Sequence, residues 1–340
     1  MVIVKSTVGA GLGDRLRAVL AAVLYAEHAG RRVHVMWDDG LYGPEGENIF
    51  PQLLQLRGMD ADGLDLGGIR TTRPAFWAGR LEQPMKVLYR EYGPPTWNRR
   101  QVLERFSFEQ SRLDYAEDAL VMWEFDQFGA CVQAAQAPPG GACWGSRAFV
   151  SALARDHLAP APPVRERIQA FQNRHFREPM IGVHVRLSNE PQARNKQVPE
   201  SRYHACIRRV RRQYPAAGIF LATDNRAVQE RFFARYGNAV VTTDKWFGQP
   251  GEPLHRAADK ADSLENAVEA LTDMFLLAAC DYLIFPSQSS FSLTASYFSA
   301  AQPSNILALS QRPGLAARLG LARLSGLWSR RARVGRLRRY

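Results

Sequence analysis

Apolar runs of strand length alternate with amphipathic segments of helical spacing through the second half of the chain. One helical face over residues 262–279 carries five apolar side chains: Leu264, Val268, Leu271, Phe275 and Ala278. The pattern predicts helices at 164–176, 199–214, 225–236, 262–279 and 290–300, and strands at 180–186, 218–223, 239–243 and 281–285. Such alternation predicts a doubly wound parallel sheet, whose ligands bind beyond the carboxyl ends of the strands.

The first half opens with a β-α-β unit, which also implies a parallel sheet. Its parts are a strand at 2–6, a glycine loop at 7–14, a helix at 15–30 and a strand at 31–39. Residues 40–160 are rich in Gly, Pro and Trp, with helical patches near 49–57, 98–113 and 146–158. We assign them to the irregular remainder of this first domain.

Three prolines within residues 158–166 predict an extended linker between the two halves. The predicted organisation is an N-terminal α/β domain at 1–160, a C-terminal nucleotide-binding domain at 165–310 and a basic tail at 311–340. Two α/β domains joined in this way face each other across a cleft.

The positive charge of the chain is concentrated at its C-terminal end. The formal net charge is +11, and nine arginines lie between Arg312 and Tyr340. Because the rest of the chain shows no basic stripe with interleaved aromatic residues, we do not expect nucleic acid as a ligand. The tail is predicted either to lie on an anionic membrane surface or to be solvated. The basic segment at 206–214 is predicted to be a solvated helix face.

The hydrophobic fraction of 46% is that of an ordinary soluble protein. The four cysteines form no C-x-x-C pair, the N-terminus lacks the apolar stretch of a signal peptide, and no apolar run is long enough to span a membrane. We therefore expect a cytoplasmic protein with reduced cysteines.

Nitrogen-rich and acidic side chains stand at two predicted strand ends. His184 and Arg186 close the strand at 180–186, and their spacing directs both to one face. A guanidinium matches the oxygens of a phosphate, although a structural His and a surface Arg are equally consistent with the pattern. Asp224 follows the next strand, where it either contacts the ligand or caps the following helix.

A third group stands around the last predicted strand. Asp273 interrupts an apolar helix, so it either faces a ligand, such as a guanine edge, or is satisfied internally. Ser289 and Ser290 open a helix, where they either bind an anion or only cap the helix end. With Arg186, these groups suit a nucleoside diphosphate. The chain has no Walker P-loop, and no D-x-D motif stands where a divalent metal would hold a diphosphate. No metal ligands are predicted.

Three motifs give the chain a family resemblance: "IGVHVR" (181–186), "FLATDN" (220–225) and "DMFLLAACDYLIFPSQSSFS" (273–292). With them the chain resembles the α1,6-fucosyltransferase and protein O-fucosyltransferase superfamily, most closely its bacterial nodulation-factor branch. The opening "GLGDRLRAVLAAVLYAEHAGRRVHVMW" and "NIFPQLLQL" (48–56) resemble the same branch. Residues 60–160 and the tail carry no resemblance.

The resemblance implies a two-domain GT-B fold and an inverting, metal-independent transfer of fucose from GDP-fucose, with no cofactor. The acceptor would be a glycan: a bacterial polysaccharide, a lipid-linked glycan or a chitooligosaccharide-like chain. Arg186 matches the arginine on the β-phosphate, His184 the nucleoside contact and Asp273 the guanine contact. The donor loop is matched by Ser289, Ser290 and Phe291. Leu187 departs from the animal α1,6 enzymes, which have a second arginine there.

The general base is open at this stage. Glu190, Asp14 and Asp38 are candidates, since all are predicted on loops that face the cleft. Gly11, Gly13, Asp14 and Arg15 form the predicted cleft loop.

Two alternatives to the transferase remain. One is a non-catalytic nucleotide-sugar or glycan-binding protein. The other, weaker one is a dinucleotide-dependent oxidoreductase, because Gly9-x-Gly11-x-x-Asp14 resembles G-x-G-x-x-G without its third glycine.

Overall fold

The computed structural model describes residues 1–6, 9–60, 65–123, 147–187, 197–245, 247 and 262–310. The α-helices in these ranges are α1 (Leu12–Ala29), α2 (Phe50–Leu53), α3 (Met85–Tyr92), α4 (Arg99–Phe106), α5 (Arg147–His157), α6 (Pro162–His175), α7 (Glu200–Gln213), α8 (Arg226–Tyr236), α9 (Ser263–Ala278) and α10 (Ser290–Phe298). The strands are β1 (Val2–Lys5), β2 (Val33–Met36), β3 (Leu54–Leu56), β4 (Thr72–Arg73), β5 (Ala119–Met122), β6 (Leu158–Pro160), β7 (Met180–Val185), β8 (Gly218–Thr223), β9 (Val240–Val241), β10 (Tyr282–Pro286) and β11 (Ile306–Leu309).

The first half builds a parallel sheet of four strands in the order β2-β1-β5-β4. Val2 pairs with Val33 on one side and Leu120 on the other, and β1 is buried along its whole length. The predicted β-α-β unit is present. β5 was not predicted, because its four-residue apolar run lies in the stretch assigned to irregular structure.

The second half builds a parallel sheet of five strands in the order β11-β10-β7-β8-β9. β7 and β8 are fully buried, as their continuous apolar runs predict. From β7 the chain builds outward through β8 and β9, and the later strands β10 and β11 lie on its other side. The crevice between β7 and β10 is therefore the topological switch point, where open parallel sheets bind ligands.

The predicted linker at 158–166 is wrong. β6 pairs antiparallel with β3, and α6 begins at Pro162. Proline suits the first turn of a helix, because its fixed φ is helical and its missing N–H would have no partner there. The predicted helical patch at 49–57 is likewise divided into the short α2 and β3.

The two halves share a hydrophobic core. One continuous cluster of buried side chains includes Val4 and Leu20 from the first half and Leu271 and Phe285 from the second. Helix α10 packs against both α1 and α5, and the Arg147 guanidinium donates a hydrogen bond to the Ser296 carbonyl at 2.7 Å. The domain boundary at residue 160 stays a prediction. Among the helices described, none combines the length and apolar character needed to cross a membrane.

Candidate active site

His184 and Arg186 lie at the switch point, at the end of β7. His184 is 4% exposed, and its ring lies 5.2 Å from the ring of Phe291, measured between centroids. Within the described ranges its buried Nδ1 has no hydrogen-bond partner. A buried polar atom without a partner is costly, and a bound ligand would supply one.

The buried ring of His184 is held neutral. Burial lowers its pKa to about 3, and the positive charges of Arg186 and Lys245 act in the same direction. A neutral imidazole presents one acceptor nitrogen and one donor N–H at physiological pH. The ring can therefore form hydrogen bonds to a nucleoside but does not supply a positive charge.

Arg186 forms an ion pair with Asp224, with its Nε 3.2 Å from the carboxylate. The other oxygen of Asp224 accepts the backbone N–H of Leu187 at 2.9 Å. Asp224 is not the helix cap that the sequence also allowed, because Asn225 caps α8 by accepting the N–H of Val228 at 3.1 Å. Asp224 instead fixes the guanidinium and the backbone just after β7.

Asp273 is satisfied internally, which is one of the two predicted alternatives. It is 7% exposed, accepts a hydrogen bond from the Thr243 hydroxyl at 2.7 Å and forms an ion pair with Lys245. Thr243 and Lys245 were missed at the sequence level, since nothing local marks residues that follow a two-residue strand. A contact of Asp273 with guanine stays a prediction, and Lys245 would share that site.

The amino end of α10 closes the other side of the crevice. Ser289 occupies the N-cap position, but its side chain makes no capping hydrogen bond, so the capping alternative is not realised. Ser290 is the first helical residue, and the buried Ser292 hydroxyl has no partner in the described part of the chain. The helix end thus presents N–H groups and hydroxyls to an anion.

The predicted cleft loop is shorter than expected, because Gly13, Asp14 and Arg15 already lie in α1. The start of α1 approaches the amino end of α10 directly. A Cβ placed on Gly13 would lie 2.5 Å from the backbone N of Phe291, and the Thr294 hydroxyl donates to the Gly13 carbonyl at 3.1 Å. Gly11 is the N-cap residue of α1 and has no atom within 4 Å of such a Cβ. The space that a dinucleotide would need beside Gly13 is filled by α10.

Arg15 lies in the first turn of α1 and does not face open space. It is 1% exposed, pairs with Asp39 at 2.6 Å and donates to the Ala10 carbonyl at 2.9 Å. Its guanidinium lies 5.2 Å from the centroid of the Tyr42 ring.

Burial raises the pKa of Tyr42 to about 12, and the positive charges of Arg15 and Arg186 oppose that shift. Asp39 and Tyr42 were not predicted, and Tyr42 lies within the field of Arg186.

The candidate bases occupy different environments. Asp38 is not on an open loop as predicted: it is 2% exposed and pairs with Lys5 at 2.6 Å. Asp14 is half-buried in the first turn of α1, with its carboxylate 3.9 Å from the Arg17 guanidinium. Glu190 lies outside the described residues. Within those residues, no group of three or more metal-ligating side chains is found.

Sequence comparison adds a family to this geometry. The model of the nodulation protein Z family matches residues 2–303. The chain is 31% identical to nodulation protein Z of Azorhizobium caulinodans over 313 residues, which covers 83% of this chain and 84% of that protein. The chain belongs to the nodulation protein Z family. Its similarity to the member from Bradyrhizobium diazoefficiens is 27% identity, covering 85% and 76% of the two chains.

Solved structures of the family share the fold of most of the chain. A fucosyltransferase NodZ from Bradyrhizobium superposes with a TM-score of 0.56 at 19% identity, over 92% of this chain and 99% of that one. A NodZ α-1,6-fucosyltransferase soaked with GDP-fucose gives a TM-score of 0.55 at 22% identity, over 88% and 92%. The predicted GT-B arrangement of two Rossmann-like parallel-sheet domains is confirmed.

Proposed function

We propose that this member of the nodulation protein Z family is an inverting glycosyltransferase that moves fucose from GDP-fucose to a hydroxyl of a glycan acceptor. One observation carries the proposal. Arg186, neutral His184 and the amino end of α10 converge at the switch point of the second sheet, in the fold of a fucosyltransferase soaked with GDP-fucose. The family and the position of α10 beside Gly13 remove the support for a dinucleotide-dependent oxidoreductase.

The chemistry follows from where charge builds during transfer. As the acceptor hydroxyl attacks C1 of fucose, the bond to the diphosphate breaks and negative charge grows on the β-phosphate. Arg186 and the N-terminus of α10 would stabilise that charge, with the Ser289 and Ser290 hydroxyls as further donors. Since these groups supply positive potential themselves, we propose that turnover needs no metal and no cofactor.

The nucleoside would lie between His184 and α9. The Phe291 ring holds the imidazole, and His184 Nδ1 is left to contact the nucleoside. Asp273 would accept the N–H groups of guanine, with Lys245 rearranged to one side. Asp224 would act through Arg186 rather than on the donor itself.

The acceptor hydroxyl needs a base, and the first half faces the crevice. Asp14 is the described candidate in the first turn of α1, and Glu190 is the second. Asp38 is unsuited, because its carboxylate is buried against Lys5. The acceptor is a polysaccharide, lipid-linked or chitooligosaccharide-like glycan in this proposal, and a cytoplasmic location with tail contact to the membrane remains a further expectation.

Thermal unfolding in the presence of GDP-, UDP- and dTDP-sugars tests the donor. A ligand that binds only the native state raises the unfolding temperature, so GDP-fucose should give the largest increase. A larger shift with a UDP- or dTDP-sugar would overturn the donor assignment. Release of GDP from GDP-fucose, measured with and without chitooligosaccharide, separates an enzyme from a non-catalytic binding protein, which would release none.

A further inference from the structure

A cleft lined by arginines lies between α7 and α8, at the opposite end of the second sheet from the candidate active site. Its volume is about 350 Å³, and its polar lining consists of His204, Arg208, Arg211, Arg212, Arg235 and Tyr236. Positions 208, 211 and 212 share one helical face, because residues three and four apart are neighbours on a helix. The basic segment at 206–214 was predicted to be a solvated helix face. Three of its four arginines, at positions 208, 211 and 212, line the cleft.

The direction of the chain separates this cleft from the donor site. Pro215, which also lines the cleft, leads into the start of β8, and Tyr236 ends α8 just before β9. The cleft thus lies at the amino ends of the strands, whereas His184 and Arg186 lie at the carboxyl end. A six-residue strand such as β8 spans about 20 Å, so the cleft is a distinct site.

The floor of the cleft is fixed by hydrogen bonds. His204 Nδ1 lies 2.8 Å from the Tyr236 hydroxyl, and the Arg235 guanidinium lies 5.8 Å from the centroid of the Tyr236 ring. Arg211 donates from Nη2 to the Pro215 carbonyl at 2.9 Å, while its Nε is buried without a hydrogen-bond partner in the described ranges. Arg211 is therefore held in place against the segment that leads into β8.

Of the side chains that line the cleft, His204 contacts a carboxylate: its Nε2 lies 3.2 Å from Glu200. Across the ranges that the structure covers, none of the four lining arginines forms an ion pair, and the neighbouring Glu200 is paired with Arg231 at 2.8 Å. Burial and then the charges of Arg235 and Arg208 lower the pKa of His204, against the opposing effect of Glu200. Guanidinium groups match phosphate oxygens with paired hydrogen bonds, and a phosphate would offset their mutual repulsion.

We propose that this cleft is a second anion site, one that binds a phosphate group carried by a small soluble phosphate or by an anionic lipid headgroup. Its ligand would be held without contact to the donor, so its occupancy does not depend on fucosyl transfer.

The test compares Arg208→Gln/Arg212→Gln with Arg174→Gln/Arg209→Gln. All four side chains are exposed, both variants lose two charges, and only the first pair lines the cleft. Binding of pyrophosphate is measured by calorimetry on the full chain with excess GDP present. Loss of two charged hydrogen-bond donors should weaken binding about tenfold or more in the cleft variant and leave the control near wild type.

Co-sedimentation with phosphatidylglycerol and phosphatidylcholine vesicles separates the two sources of phosphate. Pyrophosphate binding that needs the cleft identifies a soluble ligand, and phosphatidylglycerol binding that needs the cleft while pyrophosphate does not bind identifies a headgroup. The proposal is overturned if neither probe binds, or if both variants lose binding equally. Fucosyl transfer should be unchanged in both variants.

Discussion

The carboxyl edges of the two sheets each carry a basic side chain paired with an acid, but the two pairs differ in exposure. The side chains of Lys5 and Asp38 at the first edge are 0% and 2% exposed, and Lys5 also donates to the carbonyls of Leu81 and Gln83 at 3.1 and 3.2 Å. The side chains of Arg186 and Asp224 at the second edge are 36% and 12% exposed. The first pair holds loops together, whereas the second leaves a guanidinium within reach of a ligand.

The surroundings of the two pairs also differ, although in the described ranges the buried Nη1 of Arg15 in the first half lacks a hydrogen-bond partner as well. The Lys5 ammonium is surrounded by acceptors, and burial lowers its pKa while Asp38 opposes that shift. At the second edge, His184 Nδ1 and the Ser292 hydroxyl are buried and lack partners among the residues described. Similar residue types at equivalent strand ends are therefore tied into the structure in one half and, in our proposal, bind the donor in the other.

The largest effect should come from breaking the buried pair. Asp38→Asn leaves the Lys5 charge without its carboxylate, and we expect the free energy of unfolding to fall by about 3–5 kcal/mol. Urea unfolding followed by circular dichroism measures this. The matched change Asp224→Asn should cost less than about 1 kcal/mol, because its pair is partly solvated. Equal decreases in the free energy of unfolding for the two variants would contradict the difference in burial between the two ion pairs.

Arg186→Ala should instead remove activity without unfolding the protein. Loss of a group that stabilises charge in the transition state typically lowers kcat by about 10²–10³. Transfer from GDP-fucose is measured beside the unfolding temperature, with Arg174→Ala as a control for charge alone. Near-normal turnover in Arg186→Ala would remove Arg186 from the mechanism.

Gly13→Ala tests whether the fold requires the close contact between the start of α1 and the start of α10. The new methyl group would meet the backbone of Ser290 and Phe291, so α1 and α10 must separate, at a cost of about 1–3 kcal/mol in the free energy of unfolding. Gly11→Ala, at the N-cap of the same helix, meets no atom within 4 Å and should change unfolding much less. Thermal unfolding that is the same for both variants would show that the contact is not required.

The smallest expected effect is a decrease in the free energy of unfolding as the pH is lowered. The folded pKa of His184 is about 3 against an ordinary 6.5, so as the pH falls below 6.5 the unfolded chain takes up a proton that the native state refuses. The free energy of unfolding should fall by about 1 kcal/mol between pH 6.5 and about 5.5. Denaturant unfolding at both values should show a smaller fall for His184→Gln, and an equal fall would mean that His184 is not the group responsible.

The second half of the fold was predictable because its pattern is strong and local. β8 was predicted with its observed bounds, and β7 and α9 to within one residue at each end. The strands of the first half that follow β2 were harder to predict from the sequence. β4 has two residues and β5 four, and such runs gain their identity from pairing with β1 and with each other rather than from periodicity.

In the site, the residue types were predictable but their partners were not. Asp224 and Asn225 are both good caps, and only the ion pair with Arg186 decides that Asn225 takes that role. The partners of Asp273 come from the chain after β9, which reaches α9 only in the folded molecule. Arg15 was predicted on the cleft loop, but its contacts with Asp39 and Tyr42 depend on loops distant from it in sequence.

The core that the two halves share has a consequence for how the molecule unfolds. Helix α1 of the first half buries its apolar face partly against α10 of the second, and α5 packs on the same helix. Neither half can lose its structure without exposing the face that the other covers. We therefore expect a single cooperative transition in calorimetry, with both sheets melting together, and a fragment that ends at residue 160 should associate through its uncovered helices.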